Sequence, residues 1–204
     1  MIYRNNAADF CLTEADLAPW LGKTRLTVVT GTGLARDPSR TACLRALREA
    51  RLGVLDLDYR PYSWKAGEAT STYQAAACDA QVIVGNDEEF SVFNPDTSPR
   101  VAAQALAEKD KTVLFKEGAR GCTVFRGDDE AFLPAFLVKA LKPFGAGDAF
   151  LGTTLYCLMS GKSIEAAARD GAAAAALVVQ RPGCASAMPT RDEIDTFLAS
   201  KEAD

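Results

Sequence analysis

Short apolar runs recur along the chain, each followed by a stretch with helical spacing. LTVVT (Leu26 to Thr30) precedes a helix opened by Asp37-Pro38, GVLDLD (Gly53 to Asp58) precedes a polar helical stretch, and QVIVG (Gln81 to Gly85) precedes two further helical candidates. This alternation predicts β-α-β units and a parallel sheet. TVLFK (Thr112 to Lys116) predicts another strand. GCTVF (Gly121 to Phe125), after the Gly118 turn, is spaced to pair with it as a hairpin, so the sheet is expected to turn antiparallel at one edge. From Gly145 onward the pattern is helical, with an alanine-rich helix from about Ser163 to Gln180 and a last helix opened by a capping box, Thr190 to Glu193. The fold class is therefore α/β, with a mostly parallel sheet between helices and residues 1–204 in one domain. The opening MIYR is β-like and the first clear crossover comes only near residue 26, as though the chain were entered midway through a domain.

Composition narrows the function classes. With 204 residues, 48% hydrophobic and 25% charged, the chain is long and apolar enough to bury a core. A net charge of -4 with scattered Lys and Arg supplies no field to gather nucleic acid or anionic lipid, so neither partner is expected. No apolar stretch is long enough for a bilayer span, and the start lacks a secretory pattern. The six cysteines contain no C-x-x-C pair, which suits reduced thiols and a cytoplasmic location. The absence of histidine excludes a Ser-His-Asp triad, a Cys-His dyad and histidine-ligated zinc, leaving carboxylate, Lys, Tyr or Cys for proton transfer.

Several stretches compete as phosphate sites. Gly22-Lys23-Thr24 and Gly161-Lys162-Ser163 imitate the end of a P-loop, but Leu17 and Tyr156 stand where the upstream glycine is required. GTGLAR (Gly31 to Arg36) follows a strand, with Asp56 and Asp58 downstream at the spacing of a ribose-binding acid. Arg36, however, replaces the third glycine, and the helix begins too late to meet a pyrophosphate. FGAGDAF (Phe144 to Phe150) differs because Gly145, Ala146 and Gly147 run straight into a helix, so unpaired N–H groups and the positive dipole end converge on one point. Asp148 falls in that first turn, either as a base for a hydroxyl attacking phosphorus or as a helix cap.

Asn86 and Glu89 lie just past the strand QVIVG, where open α/β sheets place ligands, and read either as holders of a magnesium water shell or as polar side chains that merely face solvent. Gly118 and Gly121, in KEGARG, read as a turn that lets backbone approach a nucleotide or as a plain hairpin turn, with Lys116 adding charge for phosphates.

Taken in order, Asn86-x-x-Glu89, Lys116-x-Gly118-x-x-Gly121, Gly145-Ala-Gly-Asp148 and RPGCASAMP (Arg181 to Pro189) resemble the ribokinase-like (PfkB-type) carbohydrate kinases through almost the whole chain. Within that family YRNNAAD (Tyr3 to Asp9), TGTGLARDPSR, DLDYRPYSW (Asp56 to Trp64) and CASAMP are most similar to members acting on 5-dehydro-2-deoxygluconate in inositol catabolism. Asp58 stands where relatives specific for 2-keto-3-deoxygluconate carry Asn.

The resemblance implies a ribokinase-like fold and ATP-dependent phosphorylation of a sugar acid at its primary hydroxyl, with Mg2+ as cofactor. Asp148 would be the base, and the Gly145, Ala146 and Gly147 amides would stabilise the transferring phosphoryl group. Tyr3, Arg4, Asp58 and Arg60 would bind the sugar, Lys116, Gly118, Gly121 and Gly183 would border the nucleotide, and Asn86 and Glu89 would hold the metal through water. Lys142-Pro143-Phe144 stands where many members have Asp-Thr, which counts against a monovalent cation.

The family's N-terminal third, with its Gly-Gly substrate motif, first strands and β lid, has no counterpart in the sequence. The expectation is a domain's C-terminal two-thirds with impaired turnover, and a free sheet edge open to homo-oligomer formation. A kinase for 2-keto-3-deoxygluconate or another sugar is the first alternative. A non-catalytic nucleotide-binding remnant or gene fragment is the second.

Overall fold

A computed structural model describes residues 7–65 and 67–202. Two compact units are present, one running to Lys116 and taking in Phe125–Asp129, the other comprising Glu117–Val124 and the chain from Glu130.

In the first unit, helix α1 (Glu14–Leu17) precedes strand β1 (Thr27–Thr30), helix α2 (Ser39–Arg48), β2 (Gly53–Asp56), α3 (Glu68–Asp79), β3 (Val82–Asn86), α4 (Asp87–Phe93), α5 (Pro99–Ala107) and β4 (Thr112–Lys116). The β1, β2, β3 and β4 strands pair in parallel in chain order, with Thr30 opposite Asp56 and Asn86 opposite Lys116. The middles of β2, β3 and β4 are apolar and fully buried, Val54, Leu55, Ile83, Val84, Val113 and Leu114 all at 0% exposure, as in a sheet covered by helices on both faces, whereas β1 at the end of the strand order leaves Val28 41% exposed. The α2 helix buries Ala42, Cys43, Ala46 and Leu47, spaced along one stripe. Its opening is tied by Asp37 Oδ1, which accepts from Thr41 Oγ1 at 2.6 Å and Thr41 N at 3.2 Å.

The strand expected to reach Asp58 ends at Asp56. Asp58 takes φ 32°, a left-handed conformation that turns the chain out of extended geometry.

Strands β5 (Gly121–Arg126) and β6 (Asp129–Pro134) follow, and the sheet order is β1-β2-β3-β4-β5-β6. The short links Glu117–Arg120 and Gly127-Asp128 allow only antiparallel neighbours, since a parallel return needs a long crossover. Gly121, at φ 138°, is required for the hairpin, because a Cβ there would lie 2.1 Å from Leu133 O.

The second unit continues with α6 (Ala146–Met159), α7 (Ile164–Val179) and α8 (Arg191–Glu202). The α6 and α7 helices cross closely at Gly171, where a Cβ would meet Thr154 Oγ1 at 2.2 Å and Phe150 O at 2.6 Å. Ser163 caps α7 by accepting from Ala166 N, and the expected box opens α8, Thr190 N donating to Glu193 Oε2 and Glu193 N to Thr190 Oγ1. No helix among the described residues is long and apolar enough to cross a membrane.

Candidate active site

Each parallel strand of the first unit ends on a polar residue: Thr30, Asp56, Asn86 and Lys116. Parallel register sets Thr30 level with Asp56 and Asn86 level with Lys116, with Asp56 opposite Val84 two residues short of Asn86, so side chains that an apolar sheet would exclude collect in two steps at its C-terminal edge. The Lys116 ammonium lies 3.4 Å from Asp56 Oδ1 and 3.6 Å from Glu89 Oε2. Burial works against its charge, yet the Asp56 and Glu89 carboxylates prevail and hold its pKa above the ordinary lysine value. For Glu89 the balance is opposite: burial pushes its pKa up despite Lys116.

Asn86 and Glu89 form a reciprocal capping box at the start of α4. Glu89 N donates to Asn86 Oδ1 at 2.9 Å, and Asn86 N donates to Glu89 Oε2 at 2.8 Å. Glu89 Oε1 has no hydrogen bond among the described residues, and a single carboxylate oxygen with waters suits Mg2+. The described residues contain no cluster of three or more acidic or thiol side chains placed to cage a metal.

Asp58 and Arg60, both assigned to the sugar, are brought together: Arg60 Nη2 lies 2.6 Å from Asp58 Oδ1. Thr32 Oγ1 donates to Asp58 Oδ2 at 3.1 Å. Burial raises the Asp58 pKa, with the Arg60 guanidinium opposing. The Tyr73 hydroxyl is enclosed nearby with no partner among the described residues. Burial first, then the Glu89 and Asp58 charges, push its pKa well above the ordinary tyrosine value. The Leu57 backbone chiefly explains the glycine at position 31, where a Cβ would lie 1.9 Å from Leu57 O and also 2.6 Å from the Tyr73 hydroxyl. Tyr3 and Arg4 lie outside the described residues.

In the second unit α6 is preceded by Gly145 at φ 84°, which makes no side-chain cap. Asp148, in the first turn, is exposed, and its carboxylate accepts no hydrogen bond among the described residues, so it does not cap the helix. The amides of Gly147 and Asp148 likewise have no acceptor there, whereas Ala149 N returns to Gly145 O at 2.9 Å. RPGCASAMP packs against this turn: a Cβ on Gly145 would meet Cys184 Sγ at 3.0 Å and Met188 Cε at 3.6 Å. Gly183 itself sits at φ 87°, and Gly118 opens the β4–β5 turn at φ 61°. The P-loop lookalike at Gly161 is accounted for by Lys162, whose ammonium pairs with Asp170 at 2.6 Å.

Residues 1–191 match the model of the pfkB family carbohydrate kinases. The 5-dehydro-2-deoxygluconokinase of Photobacterium profundum is 36% identical over 100% of this chain and 66% of its own length. That of Listeria monocytogenes is 36% identical over 99% of this chain and 65% of its own. The chain belongs to the pfkB family of carbohydrate kinases.

It spans about two-thirds of the length of those relatives. The fold agrees with solved structures: fructokinase with bound ATP from Xylella fastidiosa superposes with a TM-score of 0.89 at 22% identity, covering 98% of this chain and 69% of that one. Aminoimidazole riboside kinase from Salmonella enterica, complexed with aminoimidazole riboside and an ATP analogue, gives 0.80 at 24%, covering 94% and 67%.

Within this pfkB-family chain, Thr32, Asp56 and Tyr73 are site-edge residues to which sequence reasoning gave no role in a sugar site. A carboxylate ending an apolar strand, as in GVLD, is a usable signal for Asp56. Thr32 was hidden inside the dinucleotide lookalike, and nothing in helix α3 marks Tyr73.

Proposed function

We propose that the protein carrying this chain transfers the γ-phosphoryl group of ATP to the primary hydroxyl of 5-dehydro-2-deoxygluconate. The observation carrying this reading is Asp148: a carboxylate in the first turn of a helix that no group among the described residues engages, beside amides with no acceptor among them. Such a group is free to accept the hydroxyl proton as oxygen attacks phosphorus. The Gly147 and Asp148 amides and the positive end of α6 favour the charge gathering on the phosphoryl oxygens. Gly145 suits that turn, since its left-handed backbone strains any other residue and a Cβ would crowd Cys184 Sγ at 3.0 Å.

ATP would supply the phosphoryl group, and Mg2+, when bound, would neutralise its charge. Glu89, through Oε1 and water, is the residue we assign to the metal, with Asn86 fixing the Glu89 carboxylate. Lys116, turned toward Asp56 and Glu89, orders those carboxylates. Gly118, Gly121 and Gly183 are assigned to the nucleotide's borders; the left-handed Gly118, with no described atom packed where a Cβ would stand, lets backbone approach a flat ligand, and Gly121 holds the hairpin beside it. Arg60, with a planar fork of donors, is assigned to the polar end of the sugar acid. The relatives named for this substrate support the choice of sugar.

The test is ATP-dependent phosphorylation of 5-dehydro-2-deoxygluconate, with 2-keto-3-deoxygluconate as competitor, by the parent and Asp148→Asn. Loss of about 10²–10⁴-fold in kcat with binding retained supports the reading. Undiminished turnover in Asp148→Asn refutes the base, and preference for the competitor refutes the sugar.

A further inference from the structure

The GTG stretch after β1, passed over as a dinucleotide motif, carries a directional hydrogen-bond chain. Thr30 Oγ1 and Thr32 Oγ1 lie 2.8 Å apart, and Thr32 Oγ1 lies 3.1 Å from Asp58 Oδ2. A hydroxyl has one hydrogen and an ionised carboxylate only accepts, so Thr32 donates to Asp58 and Thr30 must donate to Thr32. Arg60 Nη2 reaches the other oxygen, Asp58 Oδ1, at 2.6 Å. Asp58 thus stands between the two loops with both oxygens committed.

We propose that Thr32 and Asp58 are positioning residues that set the Arg60 guanidinium for the substrate, Asp58 itself not contacting the sugar's carboxylate. This rests on the sugar-kinase reading above.

Three observations carry the proposal. Asp58 holds φ 32°, a conformation that persists in a non-glycine residue only where its surroundings over-determine it, and the Thr32 and Arg60 bonds do so. Thr32 is 8% exposed, so its hydroxyl is built into the structure rather than offered to solvent. The Arg60 side chain is 42% exposed, with Nη1 donating to its own Tyr59 O at 3.2 Å, so part of its five-donor fork remains available to a ligand. An acidic sugar would be repelled by Asp58 alone; with Arg60 between them the same charge becomes the anchor of the receptor.

The test combines Thr32→Val, which deletes the donor at nearly constant shape, with Thr32→Ser, which restores it, and Asp58→Asn, which removes the charge. Arginine side-chain ¹H–¹⁵N spectra, with Arg60 assigned by its disappearance in Arg60→Lys, report whether the guanidinium is held. Calorimetric titration with 5-dehydro-2-deoxygluconate reports affinity.

In the parent the Arg60 signals should be resolved. In Thr32→Val and Asp58→Asn they should average, the affinity of Thr32→Val falling about tenfold, the scale of one lost charge-assisted bond. Thr32→Ser should recover both. Unaltered Arg60 signals and affinity in Thr32→Val overturn the proposal, as do averaged signals in the parent. Held signals that respond as described, in a chain that binds no sugar, leave the relay standing and refute the substrate reading instead.

Discussion

The second unit holds a buried carboxylate whose removal has a calculable cost. Asp170 on α7, its side chain 5% exposed, accepts from Lys162 Nζ and Arg191 Nη1, both at 2.6 Å, and from Cys157 Sγ at 3.2 Å. It thereby joins α6, the α6–α7 turn and α8. Burial pushes its pKa up, but the bonds from Lys162, Arg191 and Cys157 together push it further down, leaving it below the ordinary aspartate value of 3.8. Asp170→Asn keeps the shape and removes the charge. Two charge-assisted bonds at about 1.5–3 kcal/mol each set a gross loss of about 3–6 kcal/mol.

That loss is discounted because Lys162 is 41% exposed and regains water, Arg191 keeps Asp195, and the cost of burying the charge disappears. The net expectation is about 2 kcal/mol, read from urea unfolding at pH 7 with an unchanged m-value. The depressed pKa fixes the sign with pH. The stabilisation is present above pH 3.8 and is lost as pH falls through the folded-state value, so parent and variant converge only in that acid range. Equal stability at pH 7, within about 0.5 kcal/mol, would refute the argument that partners outweigh burial here.

Two further perturbations follow from contacts already described. Gly171→Ala drives a methyl group into Thr154 Oγ1 and Phe150 O at the α6–α7 crossing and should destabilise by about 1–3 kcal/mol, measured by thermal unfolding. Lys116→Met strips the cation from two buried carboxylates and should cost about 3 kcal/mol in urea unfolding at pH 7, less at pH 5 where Glu89, raised further without its partner, takes up a proton.

The fold was legible because each buried parallel strand is an unbroken apolar run, and such runs survive in sequence as blocks. The helix starts were legible for a similar reason: Ser163 and the Thr190–Glu193 box cap by local bonds within one turn. Site residues were harder because one spacing serves two purposes. Asn-x-x-Glu at Asn86 is both the metal-facing pattern of the resemblance and an ordinary capping box, and the structure shows the box formed. The choice at Asp148 depended on whether its side chain turned back to the helix, and its carboxylate makes no such bond. The apolar alternation of GVLDLD carries the strand expectation through Asp58, and neither its left-handed φ nor its bond from Thr32, 26 positions away in sequence, leaves a local mark.

The buried carboxylates of the two units separate structural from functional charge. At Asp170 the partners outweigh burial, the pKa falls, and the charge adds stability at neutral pH. At Asp58 and Glu89 burial outweighs the partners and the pKa rises. A carboxyl group so raised contributes stability only in acid, lost as pH rises through its folded value, and at neutral pH its charge is a cost to folding. The cost is concentrated at the C-terminal edge of the parallel strands, where Asp58 also carries a left-handed backbone, and it is offset by the apolar sheet below. Perturbed groups and local strain on one edge are what a site that must orient a charged ligand requires, and the packing of the strands alone supplies no reason for either.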